Sequence, residues 1–262
     1  ALFYVVCDAK VSLIIATPPP RLSEFAMPPS HDRPNFLFIM ADQWRHDYLG
    51  ASGADWLKTP NLDRLAAQGM RCTQCATNAP VCAPARIGLA TGRQPWRVGA
   101  IGNDSYLPLG VPTYYQHLRD HRYRVGCVGK LDLAKPDHYN GWNGDRPWAF
   151  SWGFTHPCEA EGKMHAGISP TPIGPYTRFL HEHQLLESFH QDYQRRSQVG
   201  HVHAAEDSVL PDWAFEDAWI GQRAQDWLAS VPTDFPFHYF VSFVGPHDPF
   251  DPPTSFADRT RQ

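Results

Sequence analysis

The sequence predicts an α/β fold in which a mostly parallel sheet is covered by helices on both faces. A continuous apolar run of strand length lies at 36–40, and two further mainly apolar runs of strand length lie at 123–128 and 239–243. Continuous runs are typical of parallel strands that are buried on both faces. Segments with helical periodicity lie between these runs, which favours alternating strands and helices in one layered sheet over 34–145 and 213–250.

Composition supports a folded domain and excludes several function classes. The chain has 262 residues, of which 42% are apolar and 19% are charged, so it can bury a core and is not expected to be disordered. The net charge is −4 and no run of Lys or Arg is present, so the sequence has no electrostatic signature of nucleic-acid binding.

The first strand is followed by a helix and then by a second apolar segment. Thr59 and Pro60 form a helix start, Leu62 and Leu65 give an apolar stripe, and Gly69 is a stop signal. We expect a strand over 70–75, after which the chain reaches Cys82. Later in the chain, the pattern over 213–230 predicts an amphipathic helix that packs beside the strand at 239–243.

A second helix is predicted to begin at or just after Cys82. Pro84 suits a first helical turn, the apolar residues that follow continue the helix, and Gly92 ends it. Arg86 lies one helical turn after Cys82, so the thiol and the guanidinium are expected to face one cavity. A helix start also favours anions, because unpaired N–H groups converge there.

Polar residues follow each of the three predicted strands. Asp42 and Gln43 come after the first, Lys130 after the second and His247 after the third. The carboxyl ends of parallel strands lie at one edge of a sheet, where ligands of open α/β folds bind. We therefore expect these side chains and Cys82 to lie near one another.

The segment VCAPARIGLATGR, residues 81–93, resembles the signature of the formylglycine-dependent sulfatases, C-x-P-x-R followed by T-G-R. This family includes arylsulfatases, choline sulfatases and phosphonate monoester hydrolases. The resemblance implies an alkaline phosphatase-like sulfatase fold. It also implies that Cys82 is converted to formylglycine, whose hydrate attacks the sulfur of a sulfate ester.

The resemblance also implies roles for individual residues and for cofactors. A divalent metal is expected, calcium in the first place and manganese or another divalent ion as the alternative, together with a formylglycine-generating enzyme as maturation partner and a small-molecule sulfate ester as substrate. Asp132 departs from the family pattern, which has a His at this position. The implied roles are metal binding for Asp42, Gln43 and the position of Cys82; catalysis for Cys82, Arg86, Lys130 and His247; and substrate binding for Asn103 and Asp132.

The Cys72-x-x-Cys75 pair also permits a zinc site, which we disfavour because no second pair of ligands follows at a suitable spacing.

The two ends of the chain lead to further expectations. Residues 1–33 are expected to be a leader outside the domain, with Met27 as a possible natural start, and residues 34–262 the N-terminal part of a truncated sulfatase catalytic domain. Residues 147–210 are expected to form an insertion or substrate rim. The early apolar stretches make a poor signal peptide and are too short to cross a membrane, so we expect a cytoplasmic product.

Three functions remain open at the level of sequence. Hydrolysis of sulfate esters comes first. Hydrolysis of phosphonate or phosphate diesters comes second, because Gln43 and Asn103 resemble that branch of the superfamily. The third is an inactive truncated fragment, favoured by Asp132 and by the expected loss of later metal ligands.

Overall fold

The structure, a computed structural model, describes the backbone of residues 3–7 and residues 33–200 and 204–260. Met27 lies outside these residues. The strands are β1 Phe3–Cys7, β2 Phe36–Ala41, β3 Arg124–Gly129, β4 His156–Glu159 and β5 Phe237–Phe243. The helices are α1 Pro60–Gln68, α2 Cys82–Thr91, α3 Tyr114–Asp120, α4 Pro147–Ser151, α5 Lys163–Ile168, α6 Pro175–Glu182, α7 Leu186–Gln198, α8 Glu216–Ser230 and α9 Thr254–Thr260.

The strands form one sheet in the order β1-β2-β5-β3-β4. All neighbouring pairs are parallel except β1 and β2, so the predicted mostly parallel sheet is confirmed. The three strands predicted from apolar runs, β2, β3 and β5, are adjacent, with β5 between the other two. Consequently the polar residues that follow them meet at one edge.

Two apolar layers cover the sheet. On one face, Tyr239 and Val241 of β5 pack with residues of α6, α7 and α8 such as Leu180 and Ile220. On the other face, Phe240 packs with residues of α2, α3 and β3. The alternation along β5 follows from the two-residue period of a strand, since β5 is buried on both faces.

Two expectations from the sequence differ from the structure. Residues 70–75 form an exposed connection and not a strand, and both Cys72 and Cys75 are exposed with free thiols. The two outer positions of the sheet are held by β1 and β4, so this segment has no strand to pair with there. β1 also lies within the segment expected to be a leader.

Residues 147–210, expected to form an insertion or substrate rim, pack closely against the rest of the domain. They supply β4, which pairs with β3, and helices whose apolar faces are fully buried, as at Tyr176 and Leu180. The many polar residues of this segment lie on the outer faces of amphipathic helices. An insertion or substrate rim at 147–210 stays a prediction. Among the described residues, no helix combines the length and the apolar character needed to cross a membrane.

The first prediction concerns His238 in β5, which is 3% exposed and contacts the Tyr114 hydroxyl through Nε2 at 3.3 Å. Burial lowers the pKa of His238 to about 4. The folded state therefore holds the neutral imidazole, and its stabilising effect is complete above the unfolded pKa near 6.5 and is lost as the pH falls from there toward 4. Across that window we expect His238 to lower the free energy of unfolding by up to about 1.4 kcal/mol for each unit by which the pH falls.

Denaturant unfolding at several pH values between 7.5 and 4.5 measures this contribution. The His238→Gln variant should show a smaller loss of unfolding free energy on acidification, whatever its stability at neutral pH. The matched control is His46→Gln at an exposed site. Equal pH slopes for the unsubstituted chain and the His238 variant would contradict the prediction.

Candidate active site

Four parts of the chain meet at the carboxyl edge of the sheet. Asp42 directly follows β2, Lys130 follows β3, His247 lies in the turn after β5, and Cys82 is the first residue of α2. Candidate ligand atoms of Asp42, Cys82 and His247 all lie within 4.8 Å of one another. These side chains are up to 205 positions apart in sequence and lie together, as the strand pattern predicts. We call the group formed by Asp42, Cys82, Lys130 and His247 the Cys82 cluster.

The Asp42 carboxylate holds two buried cations. Its Oδ2 lies 2.5 Å from Lys130 Nζ and 3.4 Å from Arg86 Nη2, and all three side chains are at most 10% exposed. The Cys82 thiol donates to Oδ1 over 3.8 Å. Burial by itself would raise the pKa of Asp42, but the charges of Arg86 and Lys130 outweigh it and lower that pKa. Asp42 is therefore an anion held between cations.

Arg86 is fixed by more than its ion pair. Nη1 donates to the Lys130 carbonyl at 2.5 Å and to Ser242 Oγ at 2.8 Å, so the guanidinium ties α2 to the ends of β3 and β5. Arg86 and Cys82 both contact Asp42, which confirms that the thiol and the guanidinium face one region. The helix itself agrees with the prediction, since it begins at Cys82 and ends at Gly92 with a φ of 63°.

Cys82 and His247 affect each other's proton affinity. Burial opposes ionisation of the thiol, but the hydrogen bond with His247 and the charge of Lys130 outweigh it and lower the pKa of Cys82. The same hydrogen bond raises the pKa of His247. His247 Nδ1 lies 2.7 Å from the Asp248 carbonyl, to which it donates, so Nε2 is the ring nitrogen that remains for Cys82.

Asp132 pairs with two lysines. Its Oδ2 lies 3.3 Å from Lys130 Nζ and 3.0 Å from Lys135 Nζ, and the residue has a φ of 53°. Burial is opposed by the charges of Lys130 and Lys135, and the net effect lowers the pKa of Asp132. In return, Asp132 and Asp42 overcome the effect of burial and raise the pKa of Lys130. Lys130 is thus a charged ammonium between two carboxylates.

The remaining two predicted residues are Asn103 and Gln43. Asn103 Oδ1 accepts a hydrogen bond from the Ala83 backbone N–H at 3.1 Å, so it satisfies one of the unpaired donors at the start of α2. Gln43 is exposed and adopts a φ of 63°. The substrate-binding and metal-binding roles of these residues stay predictions.

Sequence reasoning missed three residues that build the cluster. Ser242 accepts from Arg86, and a Ser within the apolar run of β5 was a usable signal. Asp217 accepts from the backbone N–H groups of Val244 and Gly245 at 2.9 and 3.1 Å, which positions the turn that carries His247. Lys135 gave no sequence signal beyond its distance of five residues from Lys130.

The donors in the Cys82 cluster fit a divalent metal only in part. Calcium takes roughly six to eight oxygen ligands. Among the described residues, the Asp42 carboxylate and the Gln43 amide offer such oxygens, while a thiol and an imidazole suit softer ions. The Asp42 carboxylate is also shared by one ammonium group, of Lys130, and one guanidinium group, of Arg86. The residues therefore fit one side of a metal site.

Comparison with known proteins shows similarity to sulfatases. Residues 34–262 match a protein-family model described as "Sulfatase". The uncharacterised sulfatase YidJ of Escherichia coli K12 is 28% identical over 229 residues, which cover 87% of this chain and 41% of that protein. The choline-sulfatase of Rhizobium meliloti strain 1021 is 27% identical over 229 residues, which cover 86% of this chain and 41% of that protein.

A solved structure shares the fold. The phosphonate monoester hydrolase of Agrobacterium radiobacter superposes with a TM-score of 0.61 at 23% identity, covering 85% of this chain and 43% of that chain. This likeness confirms the predicted alkaline phosphatase-like α/β fold. The chain spans 41% of the length of each of the two curated relatives above.

The second prediction concerns Asp42. Asp42→Asn leaves Lys130 and Arg86 buried without their shared carboxylate, so we expect the free energy of unfolding to fall by about 3 kcal/mol or more. Denaturant unfolding at pH 7 measures the loss. Asp47→Asn, which removes an exposed ion pair with Arg45, is the matched control and should change stability little.

A double-mutant cycle identifies the cause. When Lys130→Met is added to Asp42→Asn, the double variant should be more stable than the sum of the two single losses predicts. Strictly additive losses would show that the two charges do not depend on each other.

The third prediction separates two roles of Asn103. Asn103→Ala removes the acceptor for the Ala83 N–H, and we expect it to lower the free energy of unfolding by about 1 kcal/mol. Asn103→Asp keeps the acceptor and should restore stability, because a carboxylate at a helix start is favourable. Inorganic sulfate binding to the Asp variant gives the second readout. Weaker sulfate binding by a stable Asp variant supports contact with the anion, and unchanged binding leaves the cap as its role.

Proposed function

Because this chain belongs to the sulfatase family, we propose that it hydrolyses sulfate esters at the Cys82 cluster. The observation that carries the proposal is the convergence of Cys82, Arg86, Lys130 and His247 at the carboxyl edge of the sheet. A nucleophile position, two buried cations and a titratable imidazole are the groups that transfer of an anionic sulfo group requires.

Cys82 would serve as the precursor of formylglycine. The conversion is a two-electron oxidation at Cβ in which oxygen replaces sulfur, sulfur leaves as sulfide, and the electrons pass to an oxidant supplied by a formylglycine-generating enzyme. Once formed and hydrated, this group supplies the hydroxyl that attacks the sulfur of the ester. The second hydroxyl of the hydrate would then lose its proton and expel sulfate by breaking the C–O bond to the sulfated oxygen, which restores the aldehyde. The position at the start of α2 supports this role, because the helix end stabilises negative charge there.

The cations would bind the sulfate group and hold the nucleophile. Arg86 is locked by Asp42, Ser242 and the Lys130 carbonyl, so it can orient the group at position 82 without reorganising. Lys130 would contact a non-bridging sulfate oxygen. We propose that Asn103 and Asp132 lie at the edge of the pocket in which Arg86 and Lys130 would bind the sulfate group.

His247 would donate a proton to the alcohol that leaves. In the unmodified chain the hydrogen bond with Cys82 raises the pKa of His247. We propose that a hydroxyl of the converted residue takes the place of the thiol as partner, so that the charged imidazolium serves as proton donor. The Asp248 carbonyl accepts a hydrogen bond from Nδ1, so Nε2 would be the nitrogen that donates the proton. The proton and the electron pair of the broken S–O bond both end on the alcohol oxygen.

A divalent cation would be held by Asp42, Gln43 and the position of Cys82, with calcium as our first choice and manganese or another divalent ion as the alternative. Such an ion supplies positive charge next to the sulfate oxygens and lowers the pKa of a hydroxyl bound to it. The other steps above depend on residues of this chain.

Gln43 supports a second candidate function, the hydrolysis of phosphonate monoesters or phosphate diesters. An amide in place of a second carboxylate removes one negative charge from the metal side of the cluster. The same cations suit both kinds of tetrahedral anion, so substrate preference has to be measured.

The fourth prediction concerns Cys82. In the intact gene product made together with a formylglycine-generating enzyme, mass spectrometry of the peptide that contains Cys82 should show a loss of about 18 Da. The same protein should hydrolyse an aryl sulfate, and Cys82→Ala should abolish that activity. Cys127→Ala is the matched control at a buried thiol outside the cluster.

The outcomes separate the candidate functions. Faster hydrolysis of an aryl phosphonate than of the matched aryl sulfate would favour the second function. A peptide that keeps its thiol, or activity that survives Cys82→Ala, would refute the formylglycine proposal. A converted peptide without hydrolysis of either ester would indicate a protein that undergoes the conversion but is inactive toward both esters.

A further inference from the structure

Lys135 extends the chain of charges that begins at Asp42. The Lys135 ammonium contacts the same Asp132 Oδ2 as the Lys130 ammonium, at 3.0 and 3.3 Å, so the two cations lie on either side of one oxygen. Lys130 is 5% exposed and Lys135 is 16% exposed. Lys135 is therefore the more accessible of the two ammonium groups.

The balance of charge makes Lys135 the surplus cation. Arg86, Lys130 and Lys135 are three positive groups, and they share the two carboxylates of Asp42 and Asp132. Without Lys135 this set would be neutral. With it, the set carries one net positive charge beside the position where the reaction is proposed to occur, and a sulfate monoester carries one negative charge.

A small cavity connects Lys135 to the Cys82 cluster. Its volume is about 40 Å³, and its walls include Lys130, Lys135, His165 and His247. Gly162 closes one side, and a Cβ at that position would lie 3.3 Å from Cδ and Cε of Lys130, so the loop packs closely on that side chain. The cavity is thus bordered by cations and imidazoles from three separate segments, together with the Asp132 carboxylate that pairs with both lysines.

The nearby Lys163 does not provide this charge. It forms an ion pair with Asp251 and donates to the Pro249 carbonyl at 2.6 Å, so its positive charge is neutralised within the fold. His165 packs edge to face on His138 with ring centroids 4.5 Å apart, and burial lowers the pKa of His165 to about 4. His165 is therefore a neutral wall of the cavity at neutral pH.

We propose that Lys135 is an anion-binding residue of this site, whose ammonium, oriented by Asp132, contacts an oxygen of a tetrahedral oxyanion held beside Lys130. The identification of that oxyanion as the sulfate group of the substrate rests on the proposed function. Asp132 has a positioning role, because it holds both ammonium groups and replaces the imidazole of the family pattern.

The fifth prediction tests Lys135 with inorganic sulfate as the probe. Isothermal titration at constant ionic strength and pH 7 measures the Kd of the chain itself. We expect Lys135→Met to weaken sulfate binding about tenfold, the effect of losing one charge-assisted hydrogen bond, and Lys135→Arg to keep most of the affinity. Lys58→Met at an exposed lysine is the matched control and should leave the Kd unchanged.

Two results would overturn the inference. One is an unchanged Kd in a folded Lys135→Met protein, with folding verified by circular dichroism and thermal unfolding. The other is an equal loss in Lys58→Met, which would indicate general electrostatics. If Lys135→Met does not fold, Lys135→Gln replaces it, and sulfate affinity equal to that of the unsubstituted chain in this variant would also overturn the inference.

The test is independent of catalysis. Sulfate binding should persist in Cys82→Ala, which lacks the proposed nucleophile. A protein that binds sulfate through Lys135 and hydrolyses no ester would refute the proposed function and leave this inference standing. In an active protein, Lys135→Met should raise KM for an aryl sulfate by a larger factor than it lowers kcat, and a change in kcat alone would count against contact with the bound anion.

Discussion

The buried Asp42 carboxylate is the interaction on which the candidate site depends. It compensates Lys130 and Arg86, two cations that are nearly inaccessible to water and that would be very costly to bury alone. Each of the three residues is carried by a different element, namely β2, the end of β3 and α2. The ion pairs therefore join the sheet edge to the helix that begins at Cys82.

This arrangement holds the side chains around Cys82 in place through contacts within the fold. Arg86 is held by Asp42, by Ser242 and by a backbone carbonyl, so its position is set by the fold. The start of α2 is capped by Asn103, and the turn that carries His247 is held by Asp217. A site whose polar groups are already oriented loses little free energy to reorganisation when charge develops.

The charges of the site also show how one change of residue type can be compensated. Asp132 places a negative group where the family pattern has an imidazole, which by itself would weaken the attraction for an anion. The structure brings Lys135 to the same carboxylate, and the set of charges becomes positive again. The role that we propose for Lys135, a residue outside the family pattern, therefore rests on its position in space.

Local patterns determined much of this protein. Apolar runs specified β2, β3 and β5, Pro84 and Gly92 set the limits of α2, and the rule that parallel strands end at one edge brought Asp42, Lys130 and His247 together. These features depend on residues close in sequence or on a general property of parallel sheets.

Tertiary structure decided which polar groups contact one another and which segments pair. The exposed connection at 70–75 has strand-like residues but no neighbouring strand, and the polar helices after residue 147 bury apolar faces whose partners are distant in sequence. The contacts of Ser242, Asp217 and Lys135 are likewise set by the packing of separate elements. Ion pairs and strand pairing act across space, so a pattern read along the chain does not contain them.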